Sequence, residues 1–427
     1  MSRPDRLAAR RSPLTAPLRR WVAGMAVMLA AASPAHADLW SLESSVESRL
    51  ETNDNVNLVK HPPGTVNSLS LSTALGATRR VENMATRLGL NATGVSQSGR
   101  GTADRVDGRI NLSQSLSLES NDFEVSAGYS QDFNNVVQTA DVALSPGQRR
   151  TASLAASWSH SINERLTSSA QVSRNETRYG QAVSNASDYT DTAFGGGLSY
   201  RLTEIDALNL QLSHSEYRPV SLGNRSSTDQ WSLGVSHQWS ERSSSSVSLG
   251  SYRTRTDGLA LALVCPLDVV LCRAGLVPFI VVREPVTSAA TGLQYSASYS
   301  YQLDEVSAIS FSASRSQRPG GSGSVQRNDV VNLSASRSFS ETWGGSLSYN
   351  MSRTSAPIAG SAGAFSVGES RQRSFAMSLS RQLADDLTLG LSYQRTEANN
   401  VGPSNSAQSN SVSVSLRYAF PTFDASR

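Results

Sequence analysis

The chain has 427 residues, of which 38% are apolar and 17% charged, and its formal net charge is +3. Six arginines and one acid precede Asp38, so the remainder carries 32 basic and 34 acidic side chains, a net of −2. No overall positive field is left to argue for nucleic-acid binding.

The first segment reads as a targeting signal. Arg3, Arg6, Arg10, Arg11, Arg19 and Arg20 form a basic region, and Trp21 to Ala32 is an apolar run too short to span a bilayer. Ala35-His36-Ala37 gives a small-x-small cleavage pattern. Residues 1–37 are therefore expected to be a cleaved signal peptide, followed by one structural domain over 38–427.

Strict alternation begins at Trp40. Trp40, Leu42, Val46 and Leu50 face one way, and Glu43, Glu47, Arg49 and Glu51 face the other. The polar run Glu51-Thr52-Asn53-Asp54-Asn55-Val56 closes this first strand. Alternation then resumes over Ser68–Arg80, Met84–Ser96, Val106–Leu118, Phe123–Phe133 and Arg150–His160. It continues over Leu166–Tyr179, Thr190–Leu202, Ala207–Tyr217, Asp229–Trp239, Ser244–Arg255 and Thr291–Leu303. The last strands are Ala308–Gln317, Asn328–Phe339, Trp343–Arg353, Gln372–Leu383, Leu387–Arg395 and Ser409–Phe420. With Trp40–Glu51, that makes 18 strands, and merging two pairs would leave sixteen.

One short pattern punctuates these strands. A large apolar residue, a polar residue and an acid follow one another, and a new strand starts at once. The copies are Leu118-Glu119, Leu202-Thr203-Glu204, Trp239-Ser240-Glu241, Leu303-Asp304-Glu305, Phe339-Ser340-Glu341 and Leu383-Ala384-Asp385, with a looser one at Ile162-Asn163-Glu164. Each marks a tight hairpin. The intervening connections are longer and rich in Gly, Pro, Asn and Ser: Thr52–Val66, Asn134–Gln148, Pro219–Thr228, Gln317–Arg327, Ser355–Gly368 and Thr396–Ala407.

Short turns on one side, long loops on the other and period-two strands with one apolar face define the expected fold. It is an all-β, single antiparallel transmembrane β-barrel with short periplasmic turns and long extracellular loops. A bilayer forbids open sheet edges, so a lipid-facing sheet must close on itself. The mean hydropathy of −0.30 fits, because only every second strand residue is apolar. Trp158, Tyr200, Trp239, Tyr301, Phe339 and Phe420 sit near strand ends beside the tight turns, where membrane interfaces place aromatic rings. The expected location is the bacterial outer membrane.

The gap in the repeat, Thr256–Pro285, holds three apolar stretches broken by Pro266, Asp268, Arg273 and Pro278. It also holds Cys265 and Cys272, the two cysteines of the chain, expected to form a local disulfide in an exported protein. Two readings stay open: a stapled external loop, or a loop that folds into the pore and narrows it.

No catalytic signature emerges. His61 lies in a loop, and His160, His214 and His237 fall at or near strand ends on the apolar face. No nucleophile and base are grouped, and no acidic or histidine cluster accompanies the cysteines. The expectation is a non-enzyme with no cofactor. Gly195-Gly196-Gly197 lies within a strand and suits close packing of a barrel wall rather than phosphate binding. Glu43, Glu47, Arg49 and Glu51 form a charged patch on the lumen face.

Two resemblances add to this reading. The last strand, Ser411 to Phe420, resembles the C-terminal signal strand of outer-membrane barrels, with Tyr418 and Phe420 at the two aromatic positions read by the barrel-insertion machinery. Ser415 stands where that pattern favours glycine, and Pro421 to Arg427 extend past the terminal aromatic. The Thr52-Asn53-Asp54-Asn55-Val56 run resembles the T-D-N-V signature of the β-barrel porins that accompany exopolysaccharide export, including those associated with PEP-CTERM sorting, with Asn53 inserted. That resemblance implies a conduit for a secreted polysaccharide, with outer-membrane lipids and a periplasmic polysaccharide-export protein as partners. A general or sugar-selective diffusion porin and a structural or adhesive surface barrel are the alternatives.

Overall fold

The computed structural model describes residues 39–99, 104–134, 147–180, 187–220, 225–264, 280–320, 325–355, 369–400 and 406–426. All regular structure is β: β1 Leu39–Asn53, β2 Val66–Val81, β3 Met84–Ser98, β4 Arg105–Ser117, β5 Asn121–Asn134 and β6 Gly147–Ser161. Next come β7 Leu166–Tyr179, β8 Tyr189–Arg201, β9 Asp206–Pro219, β10 Arg225–Ser240, β11 Ser243–Val264 and β12 Ile280–Asp304. The last are β13 Ser307–Pro319, β14 Val325–Ser338, β15 Trp343–Ser355, β16 Ser370–Ala384, β17 Leu387–Asn400 and β18 Ser406–Ser426. Each strand pairs antiparallel with its sequence neighbours, and β1 pairs with both β2 and β18, which closes an 18-stranded barrel. Fifteen strands have 13 to 16 residues. At ~3.3 Å per residue and a ~40° tilt this spans ~30 Å of hydrocarbon.

The register sorts the side chains as the alternation requires. Leu50 opposes Leu69 and Val414, and Leu210 opposes Leu198 and Leu233, all on one face. That face carries the large exposed apolar side chains, from Trp40 and Leu42 on β1 to Leu416 and Phe420 on β18. A continuous apolar wall of this extent is stable in contact with lipid, not water. The molecule is therefore a membrane-spanning barrel of the outer-membrane type, with a polar interior.

The hairpin pattern has a physical reason at each position. In the Trp239, Leu303 and Leu383 turns the apolar residue is the extra residue of a bulge, so its side chain stays on the lipid face while the chain reverses. The polar residue caps the turn. Asn163 Oδ1 accepts the Arg165 and Leu166 N–H groups at 2.9 Å each. Thr203 Oγ1 accepts those of Ile205 and Asp206 at 3.2 and 3.0 Å, and Ser340 Oγ those of Thr342 and Trp343 at 3.3 and 3.1 Å. The acid is exposed to water.

An eighth turn, Val81-Glu82-Asn83-Met84, belongs to the same set. Its order is apolar, acid, polar, which departs from the other copies, and Glu82 takes a φ of 42°. Backbone carbonyls of the turns accept N–H groups from adjoining strands, as Asn83 O does from Ser117 and Asp386 O from Ala419, both at 2.8 Å. The short-turn end is thereby a hydrogen-bonded rim.

Two expectations are corrected. The segment Thr256–Pro285 is not a loop throughout. β11 and β12 run 22 and 25 residues, and their pairing continues from Asp257–Thr287 to Val264–Ile280. Above Asp257 the pair has left β10, and above Tyr295 it has left β13, so it projects as an arm. The apolar run Leu259–Val264 extends the hairpin, and Pro266, Asp268, Arg273 and Pro278 lie outside the described residues. Cys265 and Cys272 lie outside the described residues. The last strand does not stop at Phe420 either. It runs to Ser426, with the Leu42–Phe423 and Ser44–Phe420 pairs flanking a bulge at Pro421-Thr422. A proline costs the ladder little at a bulge, where a backbone donor is unpaired anyway.

Candidate functional site: the lumen

The inner face divides into two regions. On β1–β6 it is charged: Glu43, Glu47, Arg49 and Glu51 on β1, Arg80 and Arg87 on β2 and β3, Arg105, Asp107 and Arg109 on β4. β5 adds Asp122, Glu124 and Asp132, and β6 adds Arg149. The first-strand patch is thus inward, opposite in parity to Leu42, Val46 and Leu50. Arg49 meets Glu51 at 3.0 Å, and Arg105 meets Asp107 at 3.2 Å. Arg149 grips Asp132 with both forks, at 3.0 and 2.8 Å. A recess of about 700 Å³ lies against this region, lined by Glu43, Asp107, Arg109, Asp132 and Arg417.

On β9–β17 the described inner face is almost free of charge. It presents Ser, Thr, Asn, Gln and Gly, with Arg318 as its one ionised side chain among the described residues. Facing serines bond across the strands: Ser244–Ser300 and Ser246–Ser298 at 2.8 Å, Ser248–Ser296 and Ser346–Ser378 at 2.7 Å, Ser310–Ser334 at 2.6 Å. Each pair satisfies one hydroxyl donor and leaves acceptor lone pairs free for water. A second recess, of about 590 Å³, runs from Asp122 and Glu124 on β5 to Gln211, Gln230, Ser248 and Gln294 on this wall. Gly195 and Gly197 on β8 make room for it. A Cβ at either would come within 2.8 Å of the Gln171 or Ser169 side chain.

Buried side chains gather at the long-loop end. Among them are Tyr217, Tyr252, Ser226, Thr228, Thr254, Asn328, Thr354 and Thr396, all on inward-facing positions. Tyr217, 2% exposed, donates its hydroxyl to the Gly320 carbonyl at 2.6 Å. Three strands separate β9 from β13 in the wall, so the end of β13 reaches inside the mouth to make this bond. Whether Thr256–Pro285 staples an external loop or enters the pore rests on residues 265–279, outside the described ones. Among the described residues, Gly320 at the end of β13 makes a contact across the mouth. No local sequence signal announces a contact between residues so far apart.

The Thr52–Val56 run has a structural role at the same end. Asn55, 4% exposed, donates to the Val59 and Gln408 carbonyls at 2.7 and 2.8 Å and accepts the Val59 N–H at 3.0 Å. Asp54 accepts the backbone and side-chain N–H groups of Asn410 at 2.7 and 2.8 Å. Asn53 accepts the Ser409 hydroxyl and the Asn55 N–H. Three consecutive polar side chains thus fasten the end of β1 to the start of β18.

The remaining sequence candidates are outward. Tyr418 and Phe420 pack edge to face, with ring centroids 4.9 Å apart. His214 pairs with Asp229 at 2.7 Å and His237 with Asp206 at 2.6 Å, and His160 contacts Asn121 at 3.0 Å. The interfacial aromatics Trp158, Tyr200, Trp239, Tyr301 and Phe339 are all exposed. Above the apolar wall, at the long-loop end, the outer face is rich in arginine from β6 to β17.

No family model matches the chain, and no curated protein matches it. Solved structures do. The chain is similar to the ferric-catecholate import receptor Fiu from E. coli K12, at 9% identity over 88% of this chain and 81% of that one, with a TM-score of 0.47. It is similar to Pseudomonas aeruginosa OccK5 (OpdH) at 12% identity over 90% and 98%, with a TM-score of 0.45. It is also similar to the copper transporter OprC at 10% identity over 89% and 83%, with a TM-score of 0.46. On its own geometry, a closed wall with an apolar outer face and a polar inner face, the chain is a β-barrel of the outer-membrane type.

Proposed function

We propose that the barrel is a passive conduit for a secreted polysaccharide, and not a catalyst. The observation that carries this is the hydroxyl and amide wall of β9–β17. Sugar hydroxyls exchange hydrogen bonds with such a surface at little net gain over water, so a hydrated polymer slides without a deep binding minimum. The likeness of the Thr52–Val56 run to the signature of export-associated porins supports the same reading. A periplasmic export protein would deliver the chain to the short-turn end, and the filled mouth would open as polymer arrives. In a strain lacking this protein, polymer is expected to accumulate in the periplasm. Unchanged surface polysaccharide overturns the reading.

A second reading is favoured by the recess beside Glu43, Asp107, Arg109 and Arg417. Charges of both signs in one lumen suit a diffusion porin that sorts small ionic solutes. Steady open-channel conductance of the purified protein in planar bilayers, without any partner, would favour it over export.

A further inference from the structure

Arginine pairs recur on the outer face above the apolar wall, and they are not all balanced. Arg353 lies opposite Arg371, and Glu369 binds both, at 2.5 Å to Arg353. Arg218 and Arg225, on neighbouring β9 and β10, are likewise both bound to Glu216. In each case one carboxylate stands between two guanidinium groups, as the cost of facing like charges requires.

The third pair differs. Arg150 on β6 lies opposite Arg178 on β7, both on the outward parity that also holds Leu154 and Val172. Glu176 binds Arg178 at 2.5 Å, but Arg150 contacts only the amides of Gln131 and Gln148, at 3.1 Å each. Arg174, on the same face of β7, is exposed and has no acidic partner among the described residues. Three guanidinium groups therefore share one carboxylate on two adjacent strands.

We propose that Arg150, Arg174 and Arg178 form a site for a phosphate group of an outer-leaflet lipid. The phosphate would join Arg150 to Arg178 as Glu216 joins Arg225 to Arg218, because Glu176, in the same place on β7, binds Arg178 and not Arg150. Three features fit a lipid headgroup. The cluster faces outward, at the loop end of the barrel. Arg174 lies opposite Leu154 and one outward position from Val172, so acyl chains would continue down the apolar wall beneath it. The cations are arginines, whose planar forks match phosphate oxygens in pairs. Aliphatic stems on apolar surface with heads at the headgroup level suit this depth.

The test uses the purified full barrel in detergent and two probes, bisphosphorylated lipid A and the same lipid after enzymatic dephosphorylation, with binding read by native mass spectrometry. Wild type is expected to prefer the phosphorylated form, and R150Q/R174Q to bind it about 10-fold more weakly. R353Q/R371Q, at the pair already bridged by Glu369, should leave that binding unchanged. Equal binding of the two lipids by wild type overturns the proposal without any variant. So does an equal loss in both double variants, which would mark a diffuse surface charge. Displacement of the lipid by inorganic phosphate at equal concentration would also overturn it, since the site would then not be one for lipid.

Discussion

The two halves of the lumen use polar side chains differently. On β1–β6 the inner wall is ionic, with some charges held in pairs, such as Arg149 with Asp132. On β9–β17 it is built of hydroxyls paired with each other. The outer rim reverses the contrast. Among the described residues it is rich in arginine from β6 to β17 and carries none over β18–β5 at the long-loop end. Both halves share one backbone geometry and one lipid-facing wall, so the barrel fold does not dictate this partition. It marks the inner face as two surfaces for two tasks, fixed ionic structure on one side and a smooth hydrated slide on the other.

The charged half also holds the closing seam, and the largest stability effect is expected there. Asn55→Ala removes three hydrogen bonds made by a buried side chain to Val59 and Gln408, which should cost about 2–4 kcal/mol. Urea unfolding of the lipid-reconstituted barrel measures it. A loss no greater than that of an exposed-loop alanine would deny the seam its special standing.

The next effect separates the halves by ion selectivity. Replacing Glu43, Glu47 and Glu51 by Gln should shift the permeability ratio toward anions several-fold. Replacing Ser246, Ser248 and Ser298 by Ala should leave it unchanged. Equal shifts from both triple variants would erase the distinction.

A smaller effect is expected at the mouth. Tyr217→Phe removes the bond to Gly320 and should cost about 1 kcal/mol. Single-channel conductance should rise as the β13 end is released, and a fall would contradict the inward constriction. The smallest effect belongs to the neutral wall. Ser246→Ala with Ser298→Ala removes both members of one pair and should change stability by about 0.5 kcal/mol or less. A large loss there would make the serine pairs structural, as the ion pairs opposite are.

Much of the architecture was legible because a barrel strand writes its two environments into alternate residues. Leu50, Leu69 and Val414 could be assigned to one face before any register was known, and strand number followed from counting such runs. The hairpin pattern was legible for the same local reason, since Asn163, Thr203 and Ser340 act within three residues of themselves. What escaped was set by distant partners. Pro421 read as a strand end because its tolerance depends on a bulge opposite Glu43. The strand ends Thr256–Val264 and Ile280–Pro285 read as loop because their apolar runs lack the strict alternation of the wall strands. The partition of charge was visible only as a patch on the first strand, since it takes the register to show that β9–β17 lack its counterpart. The Asn53-Asp54-Asn55 run stood out as a motif, but its task needs the far end of the chain beside it.

The seam between the first and last strands carries a kinetic consequence. Its pairs run from Leu39–Ser426 to Asn53–Ser411, so they join the two extremes of the polypeptide. Seventeen hairpin contacts are local and can assemble early, but this one must wait for the complete chain and bears the full entropy of ring closure. Until it zips, two naked edges face each other, open to any stray strand. Clipping the polypeptide after Phe420 would shorten that final zipper by its lowest rungs, leaving a slit at the base of the cylinder through which assembly could stall.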